Sequence, residues 1–302
     1  MVDTIALTLK SSTVNYPIDF MAEVGSKINV DFKKSNEYRI IGTLKNLNIY
    51  IEPSYIRIEG SLPKYYYGTN LITLSRTEPG IIIDQLSTKL GIPLQEATIT
   101  RIDIGANIEV DNYPRSYFPS LGILSKFDRV PRKGSTLYYE QGWCKLCLYD
   151  KIAEAKIHND PYLTDELLTK NILRYEIRYF REYLKHRFKR NIKAKEIYGN
   201  ASDVCCELIA EWYFKYEAIT KIGIMKPKFD MTMKSLIGWY LKDLSRKQNI
   251  LRLIDSCSEK GDRRAARLKR EVIKMLKEQD SVPENLVEEF NSKVFEWVDI
   301  LY

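Results

Sequence analysis

The sequence predicts an α+β chain: a sheet-based region over 1–195, with antiparallel strands, followed by an α-helical region over 196–302. Three observations carry this. Up to residue 180, short segments alternate apolar and polar residues with a period of two, the mark of half-buried strands. From Ser202 onward the apolar residues recur at helical spacing. Between the two regimes, Gly199-Asn200 is a break signal.

Taken in order, Ile5–Lys10, Lys27–Phe32, Tyr38–Leu44, Leu47–Glu52 and Tyr55–Gly60 are β-branched or aromatic runs separated by Gly, Pro, Ser and Asn. Pro79–Gly91 reads as a helix, with Ile82, Ile83, Leu86 and Leu90 on one stripe and Gly91 as its stop. Thr98–Glu109 (TITRIDIGANIE) is a strand, with Ile102, Ile104, Ala106 and Ile108 opposite Arg101, Asp103 and Asn107. Residues 112–133 carry three prolines and read as helix plus loop. Thr136–Glu140 and Cys144–Tyr149 form a hairpin around Gly142. Asp150 caps a helix over Asp150–His158. Asn171–Phe180 (NILRYEIRYF) closes the sheet, with Leu173, Tyr175, Ile177 and Tyr179 opposite Arg174, Glu176 and Arg178. Leu208, Trp212 and Tyr216 then sit four apart. Asp262–Gln279 and Pro283–Leu301 each show an apolar stripe, the latter through Leu286, Phe290, Val294, Trp297 and Leu301.

The chain has 302 residues, 29% charged and 44% hydrophobic, an ordinary globular balance. No apolar run approaches the ~20 residues needed to span a bilayer, which argues against a membrane partner. The first residues, MVDTIALTLKSS, lack a basic segment followed by an apolar one, so the expected location is cytoplasmic. Lys and Arg outnumber Asp and Glu 47 to 40. The excess is segregated: Arg181–Lys195 and Lys242–Lys277 are basic, whereas Asp280–Asp299 is acidic. Two basic stretches behind a carboxylate-bearing sheet suit a polyanion such as DNA. Five cysteines, odd in number and irregularly spaced, fit a reducing setting. Cys144 and Cys147 are three apart on a strand and point to opposite faces, so they do not grip one zinc ion. The two histidines, His158 and His186, stand far apart, and there is no His-x-His pair.

If the strands holding 103, 149 and 176 are neighbours, their polar residues meet on one face. A phenol is a poor nucleophile at neutral pH, since its reference pKa is ~10. It becomes useful on a phosphodiester when a cation steadies the charge developing on the phosphate. Asp103 and Glu176 are therefore candidate ligands for Mg²⁺ or Mn²⁺, with Glu140 a third acid on the same face. Tyr149 is the candidate nucleophile, at a strand end on the polar face, and Lys151 lies two residues on. Arg101, Arg174 and Arg178 would hold the DNA backbone, and Lys185, Arg187, Lys189 and Arg190 would hold flanking duplex. The structural alternative is that these arginines and acids only pair across strands. Tyr65-Tyr66-Tyr67 suits base stacking or simple packing on the core.

Four motifs occur in order: Leu62-Pro-Lys-Tyr-Tyr-Tyr-Gly68, Thr98-Ile-Thr-Arg-Ile-Asp103, Cys147-Leu-Tyr-Asp-Lys151 and Leu173-Arg-Tyr-Glu-Ile-Arg178. Together, over about residues 60–180, the chain resembles the rolling-circle replication initiators, in particular filamentous-phage gene II/X proteins and Rep_trans-type plasmid initiators. The resemblance implies a sheet-based nicking domain, divergent HUH-like but without the His-x-His motif. It matches Tyr149 to the nucleophile of a Y-x-K motif, and Asp103 and Glu176 to metal-binding acids. Glu140 has no counterpart in it. The implied activity is metal-dependent nicking and strand transfer on a single-stranded or extruded replication origin, through a 5′-phosphotyrosyl intermediate. Host polymerase and helicase are the implied partners. No GxxxxGK[ST] loop is present, in keeping with chemistry that needs no ATP. Two other functions fit the same residues: a non-catalytic origin-binding protein, and a metal-dependent nuclease that uses water.

Overall fold

The computed structural model describes residues 1–132, 136–198, 203–222, 270 and 286–299. Among them ten strands form one sheet: β1 (Val2–Lys10), β2 (Asn29–Val30), β3 (Ile40–Leu44), β4 (Leu47–Glu52), β5 (Tyr55–Ser61), β6 (Thr98–Glu109), β7 (Asp128–Arg132), β8 (Thr136–Gln141), β9 (Cys144–Asp150) and β10 (Ile172–Phe180). Their order is β2-β3-β4-β5-β1-β6-β10-β9-β8-β7, and every pairing is antiparallel. The α+β class and the large antiparallel sheet are therefore as the alternation predicts. Strand β7 departs from the expected helix plus loop over 112–133. It carries Pro131, which is tolerated because β7 is the sheet edge and owes no second ladder of hydrogen bonds.

Among the described residues the α-helices are α1 (Phe20–Gly25), α2 (Leu62–Tyr67), α3 (Glu78–Leu90), α4 (Lys151–Ile157), α5 (Asp165–Leu168), α6 (Arg181–Phe188), α7 (Asp203–Glu217) and α8 (Leu286–Asp299). Their ends follow local chemistry. Gly91 terminates α3 in the left-handed region (φ 72°), donating its N–H to Ser87 O. The Tyr65–Tyr67 motif lies in α2, with Tyr65 buried and Tyr66 exposed. The Asp150 carboxylate accepts from the Ala153 N–H at 2.9 Å and caps α4.

The apolar sheet face is covered by α7 and α8. Leu208, Trp212 and Tyr216 are buried against Tyr175 and Tyr179 of β10. Trp212 Nε1 donates to Tyr175 O, and the Tyr175 hydroxyl donates to Trp212 O. In α8, Phe290 and Val294 join the same core, with the Phe290 ring centroid 5.2 Å from that of Tyr216. Beyond the expected boundary at 195/196, α7 and α8 thus pack on the core of the sheet. These helices share that core with α1 and α3, whose Phe20, Val24, Ile82, Ile83, Leu86 and Leu90 are buried in it. Gly199-Asn200, the Asp262–Gln279 helix apart from Arg270, and most of the basic stretch Lys242–Lys277 lie outside the described residues.

Candidate active site

Strand β10 lies between β6 and β9, so the three polar segments meet as their alternation requires. Arg178 faces Asp103 on one side and Lys145 on the other. Glu176 lies between Gly105 and Cys147, and Arg174 between Asn107 and Tyr149. All these positions share one sheet face. Cys144, by contrast, lies on the opposite face with Leu146 and Leu148.

At the centre of this face is an unbroken line of alternating charge. Arg174 binds Asp3 and, through Nε at 2.9 Å, Glu176. Arg178 donates from Nε (2.9 Å) and Nη2 (2.6 Å) to Glu176 Oε1. Arg101 grips Asp103 with Nε at 2.9 Å and Nη2 at 2.6 Å, and reaches Glu59 at 3.1 Å. Arg57 closes the line on Glu59 at 2.6 Å. The Tyr149 hydroxyl lies 3.4 Å from Glu176 Oε2 and donates to it.

These groups are deeply placed. Asp103, Glu176 and Arg174 are 2%, 3% and 2% exposed. Burial alone would raise the Glu176 carboxyl, but the Arg174 and Arg178 guanidiniums outweigh it and hold it down to about 2. For Asp103 burial prevails over its hydrogen bonds from Arg101 and, with Glu176 adding repulsion, pushes it up to about 7. Asp103 is therefore the acid of the pair that takes up a proton first. Burial and then the Glu176 charge hold the Tyr149 phenol well above its ordinary range.

The expected site residues separate accordingly. Asp103, Glu176 and Tyr149 come together. Lys151 is fully buried in the first turn of α4, bound to Asn70 Oδ1 at 2.7 Å and Glu154 Oε2 at 2.5 Å, with its ammonium lowered chiefly by burial. Glu140 is on β8, three strands from Asp103, a backbone separation of roughly 14 Å at ~4.8 Å per strand. It pairs with Lys145 at 2.9 Å and Arg132 at 3.4 Å, so it is not a third ligand beside Asp103. Arg174 is likewise corrected: its guanidinium is spent on Asp3, Glu176 and Asn107, so it organises the acids rather than a DNA phosphate. Arg101 and Arg178 remain partly exposed, at 22% and 30% of their side chains. Lys185, Arg187, Lys189 and Arg190 are exposed in and after α6. Arg187 pairs with Glu207 at 2.6 Å and Arg190 with Glu196, while Lys185 and Lys189 have no ion pair among the described residues.

Two site residues escaped sequence reasoning. Strict alternation in β1 assigns Asp3 to the apolar face with Ile5, Leu7 and Leu9, but a register shift between Val2 and Ile5 turns it to the polar one. Gly105 sits opposite Glu176, where a Cβ would lie 2.6 Å from the Glu176 Cβ. A glycine within a strand pattern is the signal that marks such a close approach.

Residues 8–198 match the family of phage replication-associated proteins of the gene II type, N-terminal region. The chain belongs to this family. No curated protein matches it. The family span extends beyond the motifs of residues 60–180 and covers the sheet from the end of β1 through β10, including Asp103, Tyr149 and Glu176. The resemblance to rolling-circle replication initiators is thereby shown, and with it a role in phage replication. Asp3 and helices α7 and α8 lie outside the matched span, although all three contribute to the folded site or its support. No described helix is long and apolar enough to cross a membrane.

The residues as placed do not fit a divalent ion. Both oxygens of Asp103, both of Glu176 and both of Asp3 already accept a hydrogen bond, mostly from guanidinium. Among the described residues no group of three or more acids, histidines or cysteines could hold a metal.

Proposed function

We propose that this phage replication-associated protein is a DNA nicking and strand-transfer enzyme that initiates rolling-circle replication, with Tyr149 as nucleophile on a divergent HUH-like sheet. The observation that carries the reading is the Tyr149 hydroxyl 3.4 Å from Glu176, on the face that also bears Asp103. In the proposed step, the phenolic oxygen bonds to phosphorus and its proton passes through water to the departing 3′-oxygen, with Glu176 Oε2 accepting the hydroxyl's hydrogen bond and orienting it. The P–O3′ bond breaks, the 3′-oxygen leaves as a hydroxyl carrying that proton, and a 5′-phosphotyrosine remains. Reversal reseals the strand without ATP. Arg101 and Arg178, the partly exposed guanidiniums, would meet the charge on the phosphate. Lys151, buried against Asn70, would fix the α4 end of the site. Mg²⁺ or Mn²⁺ is the cofactor that the family resemblance implies, but arginines already occupy the acids that would hold it.

The test is incubation with labelled single-stranded phage origin DNA in Mg²⁺, Mn²⁺ or EDTA, followed by denaturing electrophoresis. A protein–DNA adduct is expected, and Tyr149→Phe should abolish it while retaining DNA binding. Cleavage without an adduct would point to a water-using nuclease. A second reading, non-catalytic origin binding, is favoured by the full pairing of Asp103 and Glu176. It predicts that Tyr149→Phe changes nothing.

A further inference from the structure

The line of charge at the candidate active site does not end at Glu59. It continues across the same sheet face into a shallow pocket of about 190 Å³ on β4 and β5, lined by Arg39, Tyr50, Glu52, Tyr55, Arg57 and Glu59. Tyr50 faces Arg57, and Tyr55 faces Glu52, so the two tyrosines are diagonal neighbours on one face. Such neighbours stand ~7–8 Å apart. Both rings thus border the same pocket, where a planar base can stack on an aromatic face.

The pocket acids are already answered. Glu59 accepts from Arg57 and Arg101, and Glu52 accepts from the Tyr55 hydroxyl at 2.9 Å. Arg39, exposed at the pocket edge, has no ion pair among the described residues and supplies charge for a phosphate. A second observation comes from the turn that carries Arg39. It is held rigidly: the Ser35 hydroxyl donates to Ile41 O and accepts from the Ile41 N–H, and Asp31 pairs with Lys34. Yet it presents Phe32 and Tyr38 at 85% and 69% exposure. A loop that is pinned by its own hydrogen bonds while showing two aromatic rings and a free cation is preorganised for a π-faced polyanion.

We infer that this pocket and turn bind the single-stranded DNA flanking the scissile phosphate, with a base at Tyr50 and Tyr55 and its phosphate at Arg39. The inference rests on the strand-transfer reading for its geometry. From β9, which carries Tyr149, to β4 is five strand spacings, roughly 24 Å, or about seven stacked nucleotides. A strand engaged at Tyr149 can therefore reach the pocket.

The test uses the full chain and fluorescein-labelled oligothymidine, shorter and longer than that span, measured by anisotropy over a range of salt. Affinity should rise once the strand spans both places. Tyr50→Leu should weaken the long strand roughly tenfold, while Tyr50→Phe keeps wild-type affinity. Arg39→Ala should lower the salt slope by about 0.7, the share of one phosphate contact on a single strand. Unchanged long-strand affinity and salt slope in both Tyr50→Leu and Arg39→Ala would overturn the inference. So would equal binding of a duplex that is insensitive to Tyr50→Leu. An adduct at Tyr149 without any length dependence would leave the strand-transfer reading standing and remove the pocket. Length dependence without an adduct would do the reverse.

Discussion

Asp103 and Glu176 are both carboxylates on one buried face, yet their surroundings set them apart. Glu176 takes two guanidiniums, from Arg174 and Arg178, and stays ionised. Asp103 takes one in close contact, with Arg178 further off at 3.9 Å. The consequence is a stability that depends on pH with a definite sign. Because Asp103 titrates at about 7 when folded, above the ~3.9 of an unfolded Asp, the folded chain binds its proton more tightly. The stabilisation from that proton is complete below the unfolded value and is lost as pH rises through about 7. Glu176 behaves oppositely, supporting the fold above its unfolded value and losing that support as pH falls towards 2. Asp103→Asn, which cannot ionise, should therefore lose less stability than wild type between pH 5 and pH 8 in urea unfolding. Parallel pH profiles for the two proteins would show that Asp103 does not carry that proton.

At the level of elements, the pairing of β6 with β10 decides whether the acids can coexist. Gly105 makes it possible, since every other residue would bring a Cβ against Glu176. Gly105→Ala should cost about 1–3 kcal/mol by overpacking and push Glu176 from its guanidiniums. Thermal unfolding would read the first effect and loss of the Tyr149 adduct the second. An alanine variant with wild-type stability and adduct yield would show that β10 yields freely there. Helix α4 adds a second constraint. Its cap, Asp150, directly follows Tyr149, so the chain turns from strand to helix immediately beyond the phenol. The capping rule made this turn legible in the sequence. What the rule could not show is that Lys151 turns inward to Asn70, because the loop carrying Asn70 comes from 81 residues away.

For the whole molecule, the sheet and α7 form one packed unit rather than two modules. Trp212 is fully buried and tied to β10 through both its ring and its backbone. Trp212→Ala should cost about 3–5 kcal/mol and lower a single cooperative transition. Separate unfolding of sheet and helices would contradict a shared core. Much of this architecture was readable beforehand: β4 and β6 begin and end where the alternation does, and α3 stops at Gly91. The meeting of Asp103, Tyr149 and Glu176 was readable too, because a period of two assigns faces and neighbouring strands share them. Asp3 was not, since a single register shift in β1 reverses its side. Nor was the fate of the arginines. Residue order determines which groups share a surface, through local periodicity. Only the folded sheet decides which of them are buried, and burial commits Arg174 to carboxylates while leaving Arg101 and Arg178 partly exposed.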